Sequence, residues 1–111
     1  MILKEAVRLE ELWELDPQYF PNMIKFCLDR KRRVVAVNEE MHNDLEYELY
    51  DDGSDEHDIY GGNIMKSPVS VVWTAHPNIS RNRELGIGAG RERTDQTVID
   101  ELFEILKEYI K

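Results

Sequence analysis

Glu40, His42, Asp44, Glu46, His57 and Asp58 place four carboxylates and two imidazoles within residues 40–58. They belong to the run NEEMHNDLEYELYDDGSDEHDIYGGN, from Asn38 to Asn63. Carboxylate oxygens and imidazole nitrogens ligate divalent ions such as Mn, Mg, Zn or Ni. On a helix, His42 and Glu46 stand at i and i+4 and could grip one ion, with Asp44 turned elsewhere. On a strand, His42, Asp44 and Glu46 share a face instead, and His57 or Asp58 from the next segment would complete the set. His42, Asp44, Glu46 and His57 are therefore the candidate metal ligands. The spacing is neither H-E-x-x-H nor that of an EF-hand loop. The plainer alternative is a solvated acidic helix and turn in which one histidine is a cap or a hydrogen-bond donor.

General acid–base chemistry is the second possibility, because crowded carboxylates raise one another's pKa and His42 could exchange protons near neutrality. No nucleophile accompanies it. Ser54 follows a glycine but lacks the G-x-S-x-G elbow, and Cys27 sits in an apolar run where inert packing is the default. No catalytic residue is assigned. Further along, RNRELGIGAGRER offers glycines and four arginines, a composition able to cradle phosphate, yet it is neither a Walker A motif nor a dinucleotide fingerprint. It reads as a charged, mobile loop over about residues 81–94. Arg30, Lys31, Arg32 and Arg33 could touch nucleic acid at a hairpin tip, but aromatic interleaving is missing and solvated turn residues are the simpler reading.

Charge decides among partners. The 111 residues carry a net charge of −9, and residues 38–63 hold ten acids and no lysine or arginine, so the rest of the chain sums to +1. Nucleic-acid binding rests on cationic neutralisation of phosphate, which this charge balance disfavours. A divalent cation, a basic surface on a protein partner, or a second copy of the chain fits better. The single cysteine excludes an internal disulfide and points to a reducing cytoplasm. MILKEAVRLEELWEL mixes acids and bases and resembles neither a signal peptide nor a membrane span.

The elements that would position these residues follow from periodicity. MILKEAV reads as a short strand and VRLEELWEL as a helix stopped by Asp16-Pro17. Two apolar runs, Met23–Leu28 and Val34–Val37, flank the charged DRKRR turn as a hairpin. Met41, Leu45 and Leu49 fall on one helical stripe, with Asn38 as its cap and Gly53 as its stop, although Leu45, Tyr47 and Leu49 also alternate as in a strand. DIYGGNIM and VSVVWTAH are two more strands. A final helix, capped by Thr94 or Asp95, carries Val98, Ile99, Leu102, Phe103, Ile105, Leu106, Tyr109 and Ile110 on a broad apolar face. Trp13 and Trp73 read as core anchors. The expected architecture is one α+β domain over residues 1–111. It is a two-layer sandwich of four to five mostly antiparallel strands with about three helices packed on it.

The polar positions also form a pattern. Met23-Ile24-Lys25, Asp29, Glu40-x-His42-x-Asp44-x-Glu46, Gly53-Ser54, Asp58-Ile59-Tyr60-Gly61-x-Asn63 and Asn78-Ile79 occur in that order. In this the chain resembles a family of small prokaryotic proteins catalogued only as a domain of unknown function. It departs from the family in having Tyr60 rather than Trp, and SRNRELGIG after Asn78-Ile79 in place of an Arg-Pro. The resemblance implies a single compact α+β domain and brings no activity with it. The leading expectation is a small, non-enzymatic cytoplasmic binding protein acting through segment 38–63, with Glu40, His42, Asp44, Glu46, Asp58, Asn63 and Asn78 as contact residues. The alternative is a metal-dependent site on His42, Asp44, Glu46 and His57, of a kind that could serve hydrolysis.

Overall fold

Alternating side chains set the sheet. In β1 (Met23–Asp29), Ile24, Phe26 and Leu28 enter one core, whereas Cys27 enters a second. The charged turn returns the chain as β2 (Val34–Val37), antiparallel to β1, with Phe26 opposite Val37 and Asp29 opposite Val34. Asp29 builds that turn. Its buried carboxylate accepts the backbone N–H groups of Lys31 and Arg32, each at 2.9 Å, and so satisfies donors that a tight turn otherwise leaves unpaired. On the other side of β1 lies β3 (Ile59–Lys66), and β4 (Val69–Thr74) pairs with β3. The order is β2-β1-β3-β4, with every neighbouring pair antiparallel. This architecture comes from a computed structural model that describes residues 1–74 and 96–111.

Three α-helices among the described residues cover the sheet. α1 is a single turn (Leu9–Leu12), α2 spans His42–Asp51 and α3 spans Gln96–Tyr109. α3 lays Val98, Leu102, Ile105 and Leu106 over Phe26, Leu28, Val35, Val37, Tyr60 and Ile64, and Leu12 of α1 joins the same core. Trp73 anchors it, its ring edge-on to Phe26 at 5.2 Å between centroids. Each such side chain contributes about 1.5–3 kcal/mol when fully buried. To this main layer pair, α2 adds a smaller core on the opposite face, where Leu45 and Leu49 meet Cys27, Ala36 and Ile59. The α+β class, the antiparallel sheet and the three helices are as the periodicity predicts.

Some boundaries differ from the sequence expectation. Residues 1–7 form isolated bridges rather than a strand: Ile2 opposite Ala36 on the edge of β2, and Val7 beside Ile110. Leu3 N–H donates to Val35 O at 2.9 Å, and the chain then leaves β2 to meet the end of α3, where Val7 N–H donates to Tyr109 O at 2.7 Å. α1 is far shorter than VRLEELWEL suggests. Beyond Leu12 the backbone tightens to i→i−3 bonds, and the Gln18 amide donates to the carbonyls of Leu12 and Leu15 at 2.8 and 2.7 Å. Asn38 is not the cap of α2. It takes a positive φ of 65°, and Met41 occupies the cap position. Phe103 faces outward beneath Lys107, 38% exposed. Asn78, the loop at 81–94, the caps Thr94 and Asp95, and the end of VSVVWTAH lie outside the described residues.

Candidate functional site

α2 is held in place at both ends of its length. His42, Leu45 and Leu49, at i, i+3 and i+7, are its buried side chains, which is one stripe of a helix. At the far end Gly53 N–H donates to Tyr50 O and Ser54 N–H to Leu49 O, at 3.0 and 2.9 Å. Gly53 takes a φ of 107° to allow it, the left-handed glycine stop that satisfies the last helical carbonyls.

His42 turns inward. Its Nε2 donates to the carbonyl of Gly62 at 2.9 Å, and its own carbonyl lies 3.7 Å from the Cys27 sulfur. Burial pushes the Cys27 thiol up, so it stays a neutral packing group. Asp44 is exposed on the outer side of the same helix. Glu46 is half-buried and accepts the Tyr50 hydroxyl at 2.8 Å. Burial raises the pKa of Glu46, and burial together with Glu46 raises that of Tyr50. His57 is exposed, and its Nδ1 donates to Asp55 at 2.9 Å. Glu40 is exposed, and Asp58 is half-buried at the head of β3, where its carbonyl accepts Arg30 N–H at 2.8 Å. Asn63 lies in β3 opposite Lys25, its Oδ1 buried and without a hydrogen-bond partner among the described residues.

The candidate ligands thus face different ways: His42 inward, Asp44 outward, Glu46 toward Tyr50 and His57 toward Asp55. Among the described residues, no three His, Cys, Asp or Glu side chains form a set able to hold a metal ion.

Several acids of segment 38–63 are already neutralised. The Met1 amino group donates to Glu48 and, at 3.4 Å, to Glu39. Asp52 pairs with Arg32 at 2.7 Å and with Lys4 at 3.8 Å, and the Arg32 bond holds the Asp52 carboxyl below its ordinary range. The backbone N–H of His57 does the same for Asp55. Glu40, Asp44 and Asp51 remain exposed with no ion pair among the described residues. Beside them, Tyr47 is 62% and Met41 53% exposed. Shallow depressions flank α2, one of about 340 Å³ lined by Tyr50, Asp55, Glu56 and His57, the other of about 400 Å³ lined by Ile2, Lys4, Glu48, Asp51 and Asp52. Tyr47 was missed as a surface residue, although its place off the Leu45–Leu49 stripe was the available signal.

The basic turn has a structural use that no local spacing reveals. Arg30 binds Glu101 of α3 at 2.6 Å, Arg33 binds Glu108 of the same helix, and Arg32 reaches Asp52 and Ser54 just beyond α2. One hairpin tip thus clasps helices on both faces of the sheet.

These features define a small single-domain α+β protein whose acidic helix is docked on one face of an antiparallel sheet. Residues 1–108 match the family described as "Protein of unknown function (DUF5674)", and the chain belongs to that family. No curated protein and no solved structure matches the chain. Among the described residues, no helix is long and apolar enough to cross a membrane.

Proposed function

We propose that this chain is a small cytoplasmic binding protein rather than a catalyst, and that its contact surface is the acidic segment 38–63. The observation that carries this reading is the division of labour among its acids. Glu39, Glu48 and Asp52 are committed to cations within the chain and Asp55 to the backbone N–H and ring of His57, whereas Glu40, Asp44 and Asp51 stand exposed around Met41 and Tyr47. Exposed aromatic and apolar side chains among unpaired charges suit a protein contact. The fixed helix presents Asp44, Tyr47 and Asp51 without ordering a loop on binding. The lone buried cysteine suits a reducing compartment. A divalent-metal site on His42, Asp44, Glu46 and His57 draws no support from side chains that diverge.

A photo-crosslinking residue at Asn43 tests the reading in living cells, with the same residue at Glu104 on α3 as the comparison. The Asn43 derivative is expected to capture a discrete partner that Glu104 does not. That product is expected to vanish when Glu40→Lys, Asp44→Lys and Asp51→Lys are combined, with the melting temperature little changed. Identical products from both positions, or survival of the product in the reversed variant, would count against the acidic surface.

A further inference from the structure

The next step rests on the binding reading and names the chemistry of the partner. We propose that the outer stripe of α2 receives a basic segment of another protein, a cationic side chain resting on the Tyr47 ring between Asp44 and Asp51.

Asp44, Tyr47 and Asp51 stand at i, i+3 and i+7 of the helix, so they line one stripe about 10 Å long at the α-helical rise. Tyr47 is the most exposed large hydrophobic residue of the described chain, and its ring meets Tyr50 edge-on, 6.1 Å between centroids at 70°. A single edge-to-face neighbour covers at most one face of the Tyr47 ring, and with the side chain 62% exposed the other is open to a guanidinium or ammonium group. A tyrosine with only two side-chain torsions loses little entropy on contact. Met41, at the start of the stripe, supplies an apolar contact at one end.

Charge selects the occupant. Segment 38–63 contains no lysine or arginine to repel a cation. Asp44 and Asp51 are about two turns apart, too far to share one metal ion but suitably placed for successive basic residues of a peptide. A second copy of the described surface fits poorly. Two α2 faces would oppose like charges, and all four described arginines already hold carboxylates: Arg8 with Glu11, Arg30 with Glu101, Arg32 with Asp52 and Arg33 with Glu108.

The test titrates the full chain with three synthetic peptides and follows backbone amide signals by NMR. One peptide alternates arginine with leucine, one carries lysine with no apolar residue, and one replaces arginine by glutamate. The arginine–leucine peptide is expected to move the signals of residues 40–51 most, the lysine peptide less, and the glutamate peptide not at all. Tyr47→Ala should weaken the arginine–leucine complex about tenfold or more. Tyr47→Phe should restore it, and Asp44→Lys with Asp51→Lys should abolish it. Melting temperatures should stay close to that of the parent chain. Binding that maps elsewhere in 38–63 and ignores Tyr47→Ala would overturn the stripe while leaving the acidic-segment reading intact. So would failure of both basic peptides alongside a specific Asn43 crosslink. Concentration-dependent shifts of the same residues without peptide would put a second copy in the partner's place and overturn the proposal. Absence of both the crosslink and peptide binding would end both readings.

Discussion

Gly62 shows how tightly a single position can be specified. A β-carbon built there would lie 2.7 Å from Val72 O and 2.9 Å from the Phe26 ring. Phe26 has no slack, since it is fully buried and edge-on to Trp73. On the opposite side His42 uses the Gly62 carbonyl, so this one residue lies between the two cores. Gly62→Ala is therefore expected to destabilise the fold by about 1–3 kcal/mol, the usual range for overpacking. Urea unfolding should show a lower midpoint with an unchanged slope, and an unchanged midpoint would contradict the close approach. Gly53 differs in cause. A β-carbon there has room, its nearest approach being to Arg32 Cζ at 3.9 Å, but the φ of 107° is itself unfavourable for other residues. His42 belongs to the same scale. Its sequence position permitted a ligand or a hydrogen-bond donor, and only the direction of the ring separates them.

At the scale of elements, α2 carries an internal electrostatic cost. Burial raises the Glu46 pKa above its ordinary 4.5, Glu56 adds to the rise, and the Tyr50 hydroxyl partly opposes it. The folded chain thus holds that proton more tightly than the unfolded chain. This makes Glu46 favour folding when protonated, a contribution lost as pH rises from 4.5 through the folded-state value. Glu46→Gln keeps an acceptor for Tyr50 and removes the ionisation. The variant should be more stable than the parent at neutral pH, by less than about 1 kcal/mol after solvent screening, and the two should converge below pH 4.5. A constant difference across pH would refute this account. The clasp offers a second check. A double-mutant cycle on Arg30→Ala and Glu101→Ala should give a coupling of about 0.2–1 kcal/mol, reduced by high salt. No coupling at low salt would mean that the Arg30–Glu101 pair does not contribute to holding α3.

Element scale is also where the sequence was most readable. β1, β2 and β3 showed themselves through alternation and a charged turn, and α2 through Leu45, Leu49 and Gly53. Residues 1–7 were less readable because their pairing is set by the edge of β2 and the end of α3, not by their own pattern. Asn38 resembled a cap by type, yet its amide donates to Pro17 O and its backbone N–H to Lys25 O. Side-chain direction was the main gap at the candidate site. Glu46 and His57 found their partners a few residues away, but the outward Tyr47 and inward His42 depend on which stripe of α2 meets the sheet.

At the scale of the molecule, folding converts an acidic stretch into two populations, one neutralised by distant cations and one left facing water. Spacing along the chain could not separate them, because Arg32 meets Asp52 20 residues away and the Met1 amine meets Glu48 47 residues away. The same division bears on metal binding. An ion at His42, Asp44, Glu46 and His57 would have to draw His42 from Gly62, Glu46 from Tyr50 and His57 from Asp55. Thermal melts with Mn²⁺, Zn²⁺ or a chelator are therefore expected to superimpose on that of the untreated protein. The measurement is sensitive: a site filled at one hundred times its dissociation constant adds about 2.7 kcal/mol. For a domain of this size each 1 kcal/mol moves the midpoint by roughly 4–8 °C. A shift of that size with Mn²⁺ or Zn²⁺, lost in a His42→Ala, His57→Ala double variant, would show that α2 can re-form around an ion and would reverse the choice between binding protein and metal site.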